Sequence, residues 1–260
     1  MTTVNRLATL ARAEWLQFRR NKVILFMAIV IPLGMPLLMW LNLGPDSGTD
    51  KQLVGAGMME LYLMMSLLMV LFYSVLSMAT TRRDEGVLKR LRTGEARDGE
   101  ILASIAVPGA AIVTVFFLVM AVVLIGAGSS PVNFVLVLAA LLVGLVVYAS
   151  AALLTCCFTK NAEAAQLTSM PVMVLAVLSM STLRASLPTS IARIVEVNPF
   201  AFVVDLASLG WAGIDPGSGK ALASTEVLAY AGRPLALSAM WIVVLVWSAV
   251  IYMRWDTHRG

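Results

Sequence analysis

The sequence predicts an all-α integral membrane protein. It comprises six transmembrane helices, an amphipathic N-terminal helix at the membrane interface, a short helix on the cytoplasmic face and short extracellular helices before the last span. Three observations predict it. Of 260 residues, 60% are hydrophobic and 13% charged, with mean hydropathy +0.88. Soluble domains run nearer a quarter charged, so this chain cannot cover its own surface in water and takes the bilayer as solvent. The apolar residues fall in runs long enough to cross a hydrocarbon core as helix, ~20 residues each. The basic residues sit at the ends of those runs, as orientation signals do, and not among aromatics on one face. The net charge of +4 therefore does not point to a nucleic-acid partner.

Residues 1–22 carry Val4, Leu7, Ala8, Ala11, Trp15 and Phe18 at helical spacing, with Asn5, Arg12 and Arg19 opposite. This predicts a helix lying in the interface, with Trp15 at headgroup level and its bases toward anionic lipid. The charged lead is too long for a signal peptide. The first span, 23–43, contains Pro32 and Pro36. Each removes a backbone donor, so a kink is expected. The second span, 55–81, is Met-rich, and its one acid, Glu60, is expected to snorkel to water near the outer end. The third, 101–125, is bent by Pro108. A turn at 126–131 leads to the fourth, 132–158, where the neighbours Cys156 and Cys157 are read as packing residues. The fifth, 164–183, contains Pro171. Segment 184–234 mixes Pro188, Pro199 and Pro216 with apolar stretches such as 200–209, too short to span, and reads as short helices that sit on the outer face or dip into the membrane from it. The sixth is 235–252, with Trp241 and Trp247 as interface anchors or lipid-facing residues. Together 1–260 form a single membrane domain.

Residues 82–100 are the one long polar run between long apolar blocks, with eleven charges. Val87, Leu88 and Leu91 share a helical face, and Gly94 breaks the run. This is a short amphipathic helix and a turn at the membrane surface. Gly86 is expected to permit a tight join to the second span. Glu85 is expected to pair with Arg82 or Lys89. The termini, 82–100 and 159–163 hold fourteen of the nineteen basic residues; the other side holds five. Both termini and 82–100 are therefore expected in the cytoplasm, and 184–234 outside the cell.

Several chemistries are missing from the sequence. His258 is the single histidine, which leaves no His-based metal site or triad. Gly217-Ser218-Gly219-Lys220 fails as a phosphate loop, because Ile214 stands where the first Gly is needed and Ala221 where Ser or Thr is needed. An ion-driven carrier places an acid or base at mid-membrane, and the predicted spans offer only Glu60. If this chain transports, energy arrives mechanically from another chain. The helix at 82–100 is the candidate socket, with Val87, Leu88 and Leu91 in an apolar cleft and the Arg and Lys residues pairing with acids around it.

Arg82-Arg83-Asp84-Glu85-Gly86-Val87-Leu88-Lys89-Arg90-Leu91 resembles the cytoplasmic loop of the type-2 ABC exporter permeases, where an R-x-x-E-G-T-L-K-R-L pattern follows the second span. The resemblance extends to Glu163-Ala164-Ala165-Gln166, Leu187-Pro188, and Asn198-Pro199-Phe200 followed by Asp205. Val87 stands in place of the usual Thr, and no Pro follows at 93–96. The resemblance implies a permease half that joins a second half, the same chain or a related one. Each half works with a cytosolic ABC ATPase that holds the ATP and Mg; no cofactor is expected in this chain. It implies that the loop helix couples the two, through Arg82, Arg83, Asp84, Glu85, Gly86, Leu88, Lys89, Arg90 and Leu91. It implies a plasma-membrane location, and a central path lined by the second and fifth spans, for which Met65, Met69, Phe72, Met170 and Met173 are the candidates. Methionine is a soft, adaptable lining for an amphipathic or apolar substrate such as an antibiotic, lipid or hydrophobic peptide. Two alternatives stand beside this: a membrane enzyme acting on lipid-linked substrates through Glu196, Asp205, Asp215 or Glu226, and a non-transporting sensor or immunity subunit.

Overall fold

The computed structural model describes residues 50–93, 97–215, 219–223, 225–253 and 255, with isolated helical positions at Val30, Gly34 and Leu38. The interfacial helix and most of the first span lie outside the described residues.

The described chain is helical. Lys51–Asp84 is one continuous helix, α1, with Asp50 accepting from Gln52 N–H at its start. Residues 66–72 of α1 are wound as a π-helix. Next come α2 (Val87–Arg92), α3 (Asp98–Gly126), α4 (Phe134–Phe158), α5 (Ala165–Leu178), α6 (Ser181–Ala185), α7 (Thr189–Val195), α8 (Pro199–Ala212) and α9 (Val227–Tyr252). Among the described residues the sole β feature is an isolated antiparallel bridge, Ile214 to Ala221. Helices α1, α3, α4 and α9 are long and apolar enough to cross a membrane. The bent pair α7–α8, turning by 90°, is a fifth candidate.

Three expectations are corrected here. The fifth apolar run is not one continuous helix. Helix α5 has 14 residues, about 21 Å of rise, short of the ~30 Å hydrocarbon core. It stops where Ser179 Oγ turns to Asn198 Oδ1 at 3.1 Å, and a new helix starts at Ser181. The apolar stretch 200–209 is not a cap on the surface: α8 is buried along nearly its whole length, packed between α4, α9 and α1. Asn198 caps it by accepting from the N–H groups of Phe200 and Ala201. Finally, α9 begins before Pro234 and runs through it. Pro108 likewise sits inside α3 without ending it.

Helix α1 is the most enclosed of the four long helices. Its π-helical stretch reaches close to α4, because a Cβ on Gly144 would overlap the Leu67 side chain. Glycine there leaves room for the Leu67 side chain against α4. The helix ends sort into two groups. At one end Gln52 Nε2 donates to the carbonyls of Ser130 and Trp211, and Trp211 Nε1 donates to Ser129 Oγ at 2.9 Å. At the other end α2 lies with the last turns of α1 and α4 and the first turn of α3.

Candidate functional site

Helix α1 runs out of apolar residues at Thr80 and ends in Arg82-Arg83-Asp84. Glu85 N–H donates to Thr81 O at 2.9 Å and Gly86 N–H to Arg83 O at 3.0 Å, closing the helix. Gly86 takes the left-handed conformation, φ 67°, which glycine adopts without a Cβ clash. Helix α2 starts at the next residue. Arg90 ties the corner from both sides: its N–H donates to Gly86 O and its guanidinium to Glu85 O, each at 3.2 Å. Glu85 lies within electrostatic reach of Arg82, one of the two partners expected for it.

Arg83 and Asp84 face the chain itself. Arg83 is 2% exposed. Its Nη1 donates to Cys156 O at 2.7 Å, and its Nη2 to Thr159 O at 2.6 Å and Lys160 O at 3.2 Å. Those carbonyls lie at the end of α4, where Cys156 O also accepts from Thr159 N–H at 3.2 Å, and a cation there meets the negative end of the helix dipole. Asp84 accepts from Ala162 N–H at 3.1 Å. Two neighbouring residues thus stitch the end of α1 to the connection between α4 and α5. Cys156 and Cys157 are buried and unbridged, as read from sequence.

This corrects the expected contact face. Leu88 is fully buried in the chain's own core and Leu91 is half-buried against it. A six-residue helix has room for one buried face, and α1 and α3 occupy it. The apolar residues therefore root α2 in its own bundle. Asp84, Glu85, Lys89, Arg90 and Arg92 are exposed, so the outward face is charged. Arg92 Nε lies 3.3 Å from Asp98 Oδ1, and its guanidinium stacks 4.9 Å over the Trp255 ring. Helix α2 is thereby tied to the start of α3 and to the tail beyond α9.

The path candidates divide by environment. Met65 and Met69 are half-buried on one stripe of α1 with Leu61 and Tyr73. Met173 is half-buried and Met170 exposed on α5. Phe72 is fully buried, a correction: it sits on the side of α1 that its neighbours enclose, and it fills core.

A polar cluster missed by sequence reasoning lies deeper in the bundle. Glu60 does not snorkel; it is 3% exposed. Its carboxylate accepts from Ser181 N–H at 2.6 Å, Ser181 Oγ at 2.7 Å and, more weakly, Ser208 Oγ at 3.4 Å. Beside it, buried Arg184 is ion-paired with Asp205. The folded interior therefore carries more charge than the apolar runs predicted, because α6 and α8 come from the segment assigned to the surface. The legible signal was a hydroxyl-rich break, Ser179-Met180-Ser181-Thr182, in one apolar run and a lone acid in another. Of the carboxylates weighed for catalysis, Asp205 is held by Arg184, and Glu226 accepts from Ala223 N–H at 3.2 Å. Among the described residues, no three His, Cys, Asp or Glu side chains are grouped to hold a metal ion.

A family model described as ABC-2 type transporter matches residues 5–209. The match takes in α1 to α7 and most of α8, together with N-terminal residues outside those described. Comparison with curated proteins finds no match.

Proposed function

The chain belongs to the ABC-2 type transporter family, and from that premise we propose how it works. Family membership makes it a multi-pass membrane permease, the partner of an ABC ATPase and not itself a catalytic domain. Our reading goes further. The permease is an exporter of amphipathic or hydrophobic substrates, an antibiotic, lipid or peptide, across the plasma membrane. Residues 1–260 form one permease domain with six crossings, the interrupted α5–α6 pair being the fifth. Both termini and 82–100 face the cytoplasm, and 184–234 belongs to the outer half. Two such halves, identical or related, enclose the path, and ATP with Mg is bound by the ATPase alone.

One observation carries the coupling role: α2 is rooted by Leu88, joined to α1 through a hydrogen-bonded corner at Gly86, and presents a charged outer face. A force on Lys89 or Arg90 passes to α1 through the corner and to the α4–α5 connection through Arg83 and Asp84. Both helices carrying the methionine candidates are thus moved from one point. The ATPase surface that receives α2 is accordingly expected to be polar and charge-complementary, not an apolar slot. Reconstitution tests the proposal. Inside-out vesicles holding the chain and its ATPase accumulate an amphipathic substrate with ATP, and the chain alone turns over no ATP. ATP-independent chemistry by the isolated chain on lipid-linked substrates would instead support the enzyme alternative.

A further inference from the structure

Every fourth residue of α1 from Leu61 to Thr81 is half-buried: Leu61, Met65, Met69, Tyr73, Ser77 and Thr81. Apart from Met78, the residues between them are buried. In an α-helix each step of four overshoots a full turn by about 40°. Five such steps would carry the row roughly 200° around the helix, onto its packed side. The π-helix at 66–72 opposes this. Its i→i+5 bonds put more than four residues in a turn, so the steps through Met69 fall short of a full turn and cancel part of the overshoot. The row is therefore one open stripe along α1.

The stripe changes character along its length. Leu61, Met65 and Met69 are apolar; Tyr73, Ser77 and Thr81, toward α2 and beside α5, carry hydroxyls. Hydroxyls of α1 that face the bundle are already engaged. Tyr62 OH donates to Val113 O at 2.7 Å, Ser66 Oγ to Leu63 O at 3.3 Å and Thr80 Oγ1 to Leu76 O at 2.8 Å. The hydroxyls of Tyr73, Ser77 and Thr81 have no hydrogen-bond partner among the described residues, and they are not among its occluded polar atoms. Each can both donate and accept. No charged residue lies on the stripe, and Arg82, just beyond its end, is within electrostatic reach of Glu85. An ionised group on the stripe would be unpaired, at a high cost within a membrane. An uncharged group rich in hydroxyls matches three open hydroxyls at no such cost.

We propose that this stripe binds an amphiphile lengthwise, an uncharged polyhydroxylated head on Tyr73, Ser77 and Thr81 and an apolar body along Leu61, Met65 and Met69. The site rests on the reading of α1 as a wall of the transport path and adds to it the chemistry of the head.

Photolabelling of the full chain, reconstituted with its ATPase in lipid nanodiscs, tests it. Three probes share a dodecyl tail bearing a diazirine and differ in the head: glucosyl, phosphate and trimethylammonium. The glucoside is expected to label α1 saturably, and the charged probes to label it about tenfold more weakly. Tyr73→Phe, Ser77→Ala and Thr81→Val each delete a hydroxyl and little else. Each should raise the half-saturating glucoside concentration by about two- to tenfold, the loss expected for one neutral hydrogen bond, with an unchanged unfolding temperature. Met69→Trp fills the apolar half and separates the site from the path. Labelling blocked by Met69→Trp but undiminished in all three hydroxyl variants overturns the polar site and leaves the path standing. Equal labelling of α1 by the three heads overturns the choice of an uncharged head. No saturable labelling of wild-type α1 by any head overturns both readings, as it would if a second copy of the chain closed the stripe.

Discussion

Arg83 Nη1 donates to the carbonyl oxygen of Cys156 at 2.7 Å, so the last turn of α1 holds the last turn of α4. The same guanidinium reaches Thr159 and Lys160. Its planar fork satisfies several carbonyls at once, which a lysine ammonium matches poorly. Arg83→Ala removes the side-chain donor from all three carbonyls; Cys156 O keeps Thr159 N–H. The substitution is expected to destabilise the purified chain by about 1.5–3 kcal/mol, with Arg83→Lys recovering part of the loss. Thermal unfolding in detergent measures it; wild-type stability for Arg83→Ala would show that water replaces the clamp.

Leu88 and the charged residues beside it should separate stability from coupling. Leu88→Ala removes a fully buried side chain and is expected to cost about 2–5 kcal/mol. The double variant Lys89→Glu with Arg90→Glu changes exposed positions and should leave the unfolding temperature near wild type. It should, however, lose the ATPase on co-purification, or uncouple ATP turnover from substrate. Retained partner binding and transport in the charge-reversed chain would reduce α2 to a connector.

Gly86 has open space around it, yet its φ of 67° disfavours a side chain. Gly86→Val should therefore cost roughly 1–2 kcal/mol from backbone strain alone. Substrate-stimulated ATP turnover should fall further than stability does, because the corner angle aims α2. Unchanged turnover would argue against a rigid corner.

The half-buried methionines and Phe72 should behave differently. Met69→Trp or Met173→Trp is expected to alter substrate-stimulated ATP hydrolysis with assembly intact. Phe72→Ala empties a buried site and should lower stability by about 3–5 kcal/mol. A tryptophan scan of Met65, Met69, Met170 and Met173 without effect on transport would remove these residues from the path.

Orientation is open to labelling. With Cys156 and Cys157 both replaced by Ala, a membrane-impermeant maleimide applied to intact cells should modify Lys220→Cys and spare Thr93→Cys; both positions are exposed. The reverse pattern would invert the topology and place α2 away from any cytosolic ATPase.

The sequence by itself determined the class of protein, because apolar runs and the charges at their ends report on solvent, and solvent acts residue by residue. It located α1, α3 and α4 to within a few residues of their ends. It also placed the short helix after Gly86, where a polar run with one apolar face and a glycine can fold in few ways. Only the tertiary structure decided which way Arg83 and Leu88 point. An amphipathic helix of six residues fits a partner's cleft as well as its own bundle, and periodicity does not distinguish them. It alone decided that α8 is core, because a 14-residue apolar helix too short to cross a membrane is buried only if other helices close around it. Glu60 makes the same point. A lone acid in an apolar run reads as snorkelling to water, and it became a buried acceptor because Ser181, 121 positions away, brings an N–H and a hydroxyl to it. Local pattern fixes what a segment can bury; which donors meet a buried charge is set by contacts distant in sequence.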